Sequence, residues 1–199
     1  MAGSDITATT IEDTQAASTT FIAAAATPAG AFTLANTSFD AGHSRIITVT
    51  TTGSSDAGKT VTIVGTDNFG DTQTEVIISL GSASTVTGTK YFSTIVSATC
   101  SAQYAANVSV GMSAAGVAVF FAGRSRLKAF SAFSTATSGR IEFLDGLPST
   151  GSIVFVARTS GVNNASDDVY IPEEGVLFKT ALSVYYDTAT CKMLTAFHA

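Results

Sequence analysis

The stretch RIITVTTTGSSDAGKTVTIVGTDNFGDTQTEVIISL, residues 45–80, decides the fold class. Arg45 to Thr52 is a strand-length run rich in β-branched residues, closed by the turn-forming segment Gly53-Ser54-Ser55-Asp56-Ala57-Gly58. Lys59 to Thr66 then alternates, with Val61 and Ile63 on one side and Thr60 and Thr62 on the other. That period of two belongs to a half-buried strand. Asp67-Asn68-Phe69-Gly70-Asp71 turns the chain into a further run, Thr72 to Leu80. Strand, turn and strand in that order predict a β-hairpin.

Outward from this stretch the same rhythm continues. Strands are expected at 90–99 and 107–112, and at 117–122 as the end of a first unit or the crossing into a second. Further strands are expected at 126–133, 140–144, 152–158, 168–171, 176–180, 182–186 and 192–197. Short strands at 8–12-residue spacing indicate sandwiches or barrels. No segment of a dozen residues carries helical periodicity, so the chain reads as all-β. The uncharged, aperiodic Ser113-Ala114-Ala115-Gly116 breaks the rhythm and marks a domain junction. Residues 1–24, polar and rich in Ala and Thr, read as an extended N-terminal arm. The expected organisation is therefore an arm at 1–24 and two small antiparallel β-sandwich or barrel-like domains at 25–116 and 117–199. Tyr91-Phe92 before Thr99-Cys100 is echoed by Tyr185-Tyr186 before Thr190-Cys191, which suggests a shared plan for the two halves.

Composition narrows the function. Charged residues are 13% of the 199, against about 25% in an ordinary soluble domain. Thr, Ser, Ala and Gly fill the positions that Lys and Glu would hold. Hydroxyl-rich surfaces lose little ionic hydration on burial, which suits repeated packing against neighbours. A net charge of −5 argues against nucleic-acid binding. The basic cluster Arg124-Ser125-Arg126-Leu127-Lys128 reads as a solvated strand face. Phe21 to Ala26 is far too short to cross a bilayer, and Met1 to Asp5 lacks the basic start of a signal peptide. The expectation is a soluble protein with neither membrane nor nucleic acid as a partner.

Sites of chemistry are sparse. Cys100 and Cys191 have no ligand spacing and read as small apolar fillers, reduced inside a cell, although a single disulfide stays open. His43 precedes a strand, and His198 reads as a frayed, exposed end. No HExxH, GxSxG, phosphate-loop or dinucleotide motif occurs. Gly65 to Asp71 has the oxygen atoms of a calcium loop but not the required order, and reads as a turn. Asp145-Gly146-Leu147-Pro148 and Pro172-Glu173-Glu174-Gly175 read as turns. Asn163 to Asp168 reads as a polar loop, with Asp167 and Asp168 as a candidate pair for a cation or a basic partner. The chain has no Trp, which argues against a carbohydrate site, while Tyr91, Tyr104, Tyr170, Tyr185 and Tyr186 are the aromatics available for a sugar platform. No catalytic, cofactor-binding or metal-binding residues are assigned, no cofactor is expected, and enzymatic activity is not expected.

Several phrases resemble a β-rich module that recurs in structural proteins of tailed bacteriophages. They are Arg45 to Thr52, Val64-Gly65-Thr66-Asp67 with Gly70-Asp71, Thr74 to Ile77, Gly88 to Ile95 and Ala106 to Gly111. Gly139-Arg140-Ile141 and Ile171 to Val176 are similar in style to β domains of the same kind of protein. The resemblance covers residues 40–112 well and the rest loosely. It implies a virion component, a capsid decoration or cement protein foremost, with a neck, tail or head-fibre part or a surface receptor- or glycan-binding module as alternatives. Its implied partners are the major capsid protein or other virion proteins, and further copies of itself.

Overall fold

A computed structural model describes residues 6–12, 15–40, 43–146 and 151–199. Its strands are β1 (Thr7–Glu12), β2 (Ser18–Ala26), β3 (His43–Thr51), β4 (Thr60–Thr66), β5 (Thr72–Ile78), β6 (Ser84–Phe92), β7 (Thr94–Cys100), β8 (Val108–Phe121), β9 (Ser125–Ser134), β10 (Arg140–Asp145), β11 (Ser152–Arg158), β12 (Ser166–Tyr170), β13 (Val176–Phe178), β14 (Leu182–Asp187) and β15 (Cys191–His198). Eleven of the strand pairings are antiparallel in register, and no helix occurs among the described residues. The chain is all-β, as its periodicity predicts.

It divides into two compact units. The N-unit is Ala16–Ala114; the C-unit joins Met1–Gln15 to Ala115–Ala199. The division falls inside β8. The junction expected at Ser113 to Gly116 is where the units divide, but the chain crosses it as continuous strand and not as a break in the strand rhythm. Small side chains make it look like a linker, yet the guanidinium of the fully buried Arg45 donates to the carbonyls of Ser113 and Ala114, at 3.2 and 2.9 Å.

In the N-unit, β4 sits between β5 and β7, and β3, β6, β2 and the first half of β8 belong to a second sheet. Between the sheets lie Ile22, Ile47, Val61, Ile63, Phe92 and Val108, all fully buried. A bulge between Val64 and Gly65 breaks the β4–β7 register. A Cβ on Gly65 would stand 2.0 Å from the Thr94 carbonyl oxygen, so only glycine lets the strands approach there. The 65–71 phrase is the turn that its composition predicts. The Asp67 carboxylate accepts the amides of Phe69 and Asp71, and Gly70 adopts φ 84°.

In the C-unit, one sheet runs β1-β15-β9-β12, with β13 also on β9. The other is built from β11, β10, β14 and the second half of β8. Phe130, Phe143 and Phe155 interlock the two, with ring centroids 5.1–6.0 Å apart. The Pro172–Gly175 turn forms as expected, with Glu173 at φ 58° and Gly175 at φ 73°. Arg124 is exposed and Arg126 and Lys128 are half-exposed, alternating with the buried Ser125 and Leu127 as a solvated strand face does, and the last two also donate to the carbonyls of Glu174 and Glu173 in that turn.

The expected arm over residues 1–24 is not what the described residues form. Thr7–Glu12 pairs along its whole length with β15, and Ser18–Ala26 pairs with β8. Ile11 and Ile22 are buried. Each segment has too few large apolar residues to show alternation by itself, and its partner lies roughly a hundred residues or more away. The expectation for residues 1–5, 13 and 14 lies outside the described residues, as does that for Leu147 and Pro148. His198 is also not frayed. It is buried, shares a 3.0 Å hydrogen bond with Thr9, and is followed by Ala199, which exchanges two backbone bonds with Arg126. The echo between the halves is imperfect: Cys100 ends a strand, whereas Cys191 begins one.

Phe143 anchors the aromatic cluster, so Phe143→Ala should cost about 3–5 kcal/mol in chemical denaturation. In limited proteolysis of the intact protein, cleavage should spare 113–116, because those residues are paired in β8. Early cutting there would contradict the strand.

Candidate functional site

Several carboxylates of the turns and loops accept hydrogen bonds from the backbone. Asp56 is completely buried. It accepts the amides of Ala105 and Ala106, at 2.8 and 3.0 Å, and pairs with Lys59 at 2.7 Å. These bonds, led by that from Ala105 and followed by Lys59, hold its carboxyl below the usual aspartate range. Asp145 accepts the amides of Lys179, Thr180 and Ala181, which lower it likewise. Asp167 and Asp168 are successive strand residues and so point to opposite faces of β12. Asp167 accepts from the amide and hydroxyl of Ser160, while Asp168 accepts from the Ser166 hydroxyl. They do not converge on one cation. No cluster of three or more potential metal ligands occurs among the described residues.

Cys100 and Cys191 are both free and buried, and burial pushes each thiol up to about 11. At neutral pH neither is a thiolate nucleophile. Of the five tyrosines, Tyr104 and Tyr186 are buried, and Tyr91 and Tyr185 are partly covered. Only Tyr170 stands free of the surface, at 76% exposure.

Two surfaces have a definite chemical character. The first is the outer face of the β5-β4-β7 sheet of the N-unit. Its strands present Thr72, Thr74, Val76 and Ile78, then Thr60, Thr62, Val64 and Thr66, then Thr94, Val96, Ser97 and Thr99, with not one charged side chain. The strand pattern places Glu75 and Ile77 on the inner side. Along the β7 edge, the segment before β3 supplies backbone bonds: Phe32 donates to Ala98, Cys100 to Gly30 and Ile95 to Thr37.

The β5 edge is bridged over only part of its length. The side-chain Nε2 of Gln73 donates to the Tyr91 carbonyl, and the Lys90 ammonium donates to the Thr74 carbonyl. The buried Glu75 carboxylate accepts the backbone amides of Thr89 and Lys90 and the Thr89 hydroxyl. A Cβ on Gly88 would come within 2.5 Å of a Glu75 carboxylate oxygen, so a larger residue there displaces that carboxylate. Beyond Glu75, Val76, Ile78 and Leu80 stand exposed beside Val86, lining an open groove of about 350 Å³.

The second surface is the outer face of the C-unit's β1-β15-β9-β12 sheet. Its register sets out three rows: Tyr170, Ala129, Phe197 and Ala8; Asp168, Ser131, Thr195 and Thr10; and Ser166, Phe133, Met193 and Glu12. A cleft of about 480 Å³ opens over Ala129 between Tyr170 and Phe197. Sequence reading missed Phe197 and Ala129, because their adjacency to Tyr170 arises only when β12, β9 and β15 pair. The alternation of Ser166, Asp168 and Tyr170 on one strand face was the available signal.

Comparison of the chain with known protein families, curated proteins and solved structures finds no match.

The titrations give two signed expectations. Burial lowers the pKa of His198 from 6.5, so the unfolded chain takes up its proton first. The stability His198 contributes is present above pH 6.5 and is lost as pH falls below it. Melting curves should therefore show a larger drop from pH 7.5 to pH 5.5 in the natural protein than in His198→Gln. Asp56, with its pKa lowered from 3.8, contributes stability above that value which is lost as pH falls through and below it. Asp56→Asn should lower the melting temperature at pH 7 and flatten the acid limb below pH 4.

Proposed function

We propose that the protein is a non-enzymatic structural component of a tailed-phage virion, foremost a capsid decoration or cement protein that packs on the head lattice and on further copies of itself. A neck or tail position is the alternative placement. The observation that carries this reading is the charge-free outer face of β5-β4-β7, continuous with the exposed Val76, Ile78 and Leu80. Such a face exchanges water for a protein surface without stranding an ion. The unbridged part of the β5 edge adds backbone donors and acceptors that a partner strand satisfies. The resemblance of residues 40–112 to phage structural modules points the same way, and the acidic balance keeps packaged nucleic acid out of the partner list. On this reading the partners are the major capsid protein, or neck and tail proteins, and assembly takes place in the host cytoplasm.

The test is mass spectrometry of particles purified from the phage that encodes the chain, together with light scattering of the isolated protein. The expected result is stoichiometric incorporation, with a closed homo-oligomer in solution. Val76→Glu combined with Ile78→Lys should keep the circular dichroism spectrum, since both positions are exposed, and reduce particle-bound protein about tenfold or more. A monomer that is absent from purified particles overturns the proposal. Full incorporation of the double variant removes this face from the interface.

A further inference from the structure

We infer that the C-unit carries a binding cleft for a neutral pyranose sugar, seated over Ala129 between Tyr170 and Phe197. The inference rests on geometry in the C-unit alone and does not depend on where the protein is assembled. Tyr170 lies on β12, Ala129 on β9 and Phe197 on β15, and the register aligns them in one row across the sheet. Neighbouring strands are spaced about 4.8 Å apart, so the two aromatic residues spring from strands about 9.6 Å apart. Carbon contacts on each side of a sugar ring take up roughly 3.5–4 Å. One pyranose fits that gap with a ring against each of its faces. Ala129 contributes only a methyl group between them, and this is what leaves the cleft open.

The adjacent row supplies the polar half of the site. Asp168, Ser131 and Thr195 lie two residues along their strands from Tyr170, Ala129 and Phe197. Hydrogen bonds from the Ser131 and Ser166 hydroxyls orient the Asp168 carboxylate. An ionised carboxylate has about four acceptor positions, so capacity remains for a vicinal pair of sugar hydroxyls. Charge selects the class of sugar. Asp168 is the one charged residue among those that line the cleft. A uronate or sialylated sugar seated there sets its carboxylate beside that of Asp168 and binds less well than a neutral hexose. An aromatic side chain left 76% exposed at the mouth of a cleft, beside an oriented carboxylate, has the features of a ligand site and contributes little to packing.

The experiment is saturation-transfer NMR on the full chain, using methyl glycosides of glucose, galactose, mannose and N-acetylglucosamine, with methyl glucuronide as the charged comparison. At least one neutral glycoside should receive saturation on its ring C–H protons, and the glucuronide should receive less. Tyr170→Ala should abolish the transfer, and Asp168→Asn should weaken binding about tenfold, the scale of one hydrogen bond to a charged acceptor. Ala129→Leu, which fills the floor, should also abolish it while circular dichroism stays unchanged. If Ala129→Leu unfolds, the exposed Tyr170→Ala decides alone. Absence of transfer to every neutral glycoside, transfer to the glucuronide as strong as to them, or undiminished transfer in Tyr170→Ala overturns the inference.

Discussion

The structure depends on satisfying backbone groups wherever the β ladders break, in a chain with few charges to do it. An all-β chain with bulges and many turns leaves amides and carbonyls off the ladder, and a buried one without a partner costs about 1–3 kcal/mol. The charged side chains are placed where those breaks occur. Asp56 takes the amides of Ala105 and Ala106, Glu75 those of Thr89 and Lys90, and Asp145 those of Lys179, Thr180 and Ala181. The cations mirror this: Arg45, Lys59, Lys90, Arg126 and Lys128 all donate to backbone carbonyls.

That use of charge explains the character of the surface. Once carboxylates and ammonium groups are committed to the backbone, the outer face of β5-β4-β7 is left to Thr, Val, Ile and Ser. Strand edges are where soluble β proteins usually place charge to discourage pairing with other chains. Here Glu75 and Lys90 serve the β5–β6 bridge instead, and past that bridge Val76, Ile78 and Leu80 are exposed.

Hydroxyl pairs play a lesser version of this role across the sheets. Thr50 with Thr85, Thr66 with Thr94 and Thr10 with Thr195 each meet across a strand pair at 2.7–2.9 Å. Such cross-strand contacts contribute a few tenths to about 1 kcal/mol each and help fix register without charge. Threonine thus serves two purposes, pleated-sheet propensity and lateral hydrogen bonding, which accounts for its abundance in a chain so poor in Lys and Glu.

The sequence by itself determined what short-range physics controls. The period of two in Lys59–Thr66 set a strand, and Asp67 to Asp71 set its turn, because alternation and Asx–Gly turn chemistry act within a few residues. Pro172 to Gly175 was legible for the same reason. Tertiary structure alone decided what depends on distant partners. β1 and β2 carry one or two large buried apolar residues each, too few for alternation, and are strands because β15 and β8 accept them. Ser113 to Gly116 is where the two units divide, but its small residues, which mark both linkers and crowded strands, could not tell that the chain crosses there as strand β8. The roles of Asp56, Glu75 and Asp145, and the meeting of Tyr170, Ala129 and Phe197, likewise rest on contacts between segments 14–68 residues apart. No local pattern encodes such contacts, since the free energy that fixes them is gained only when the sheets close.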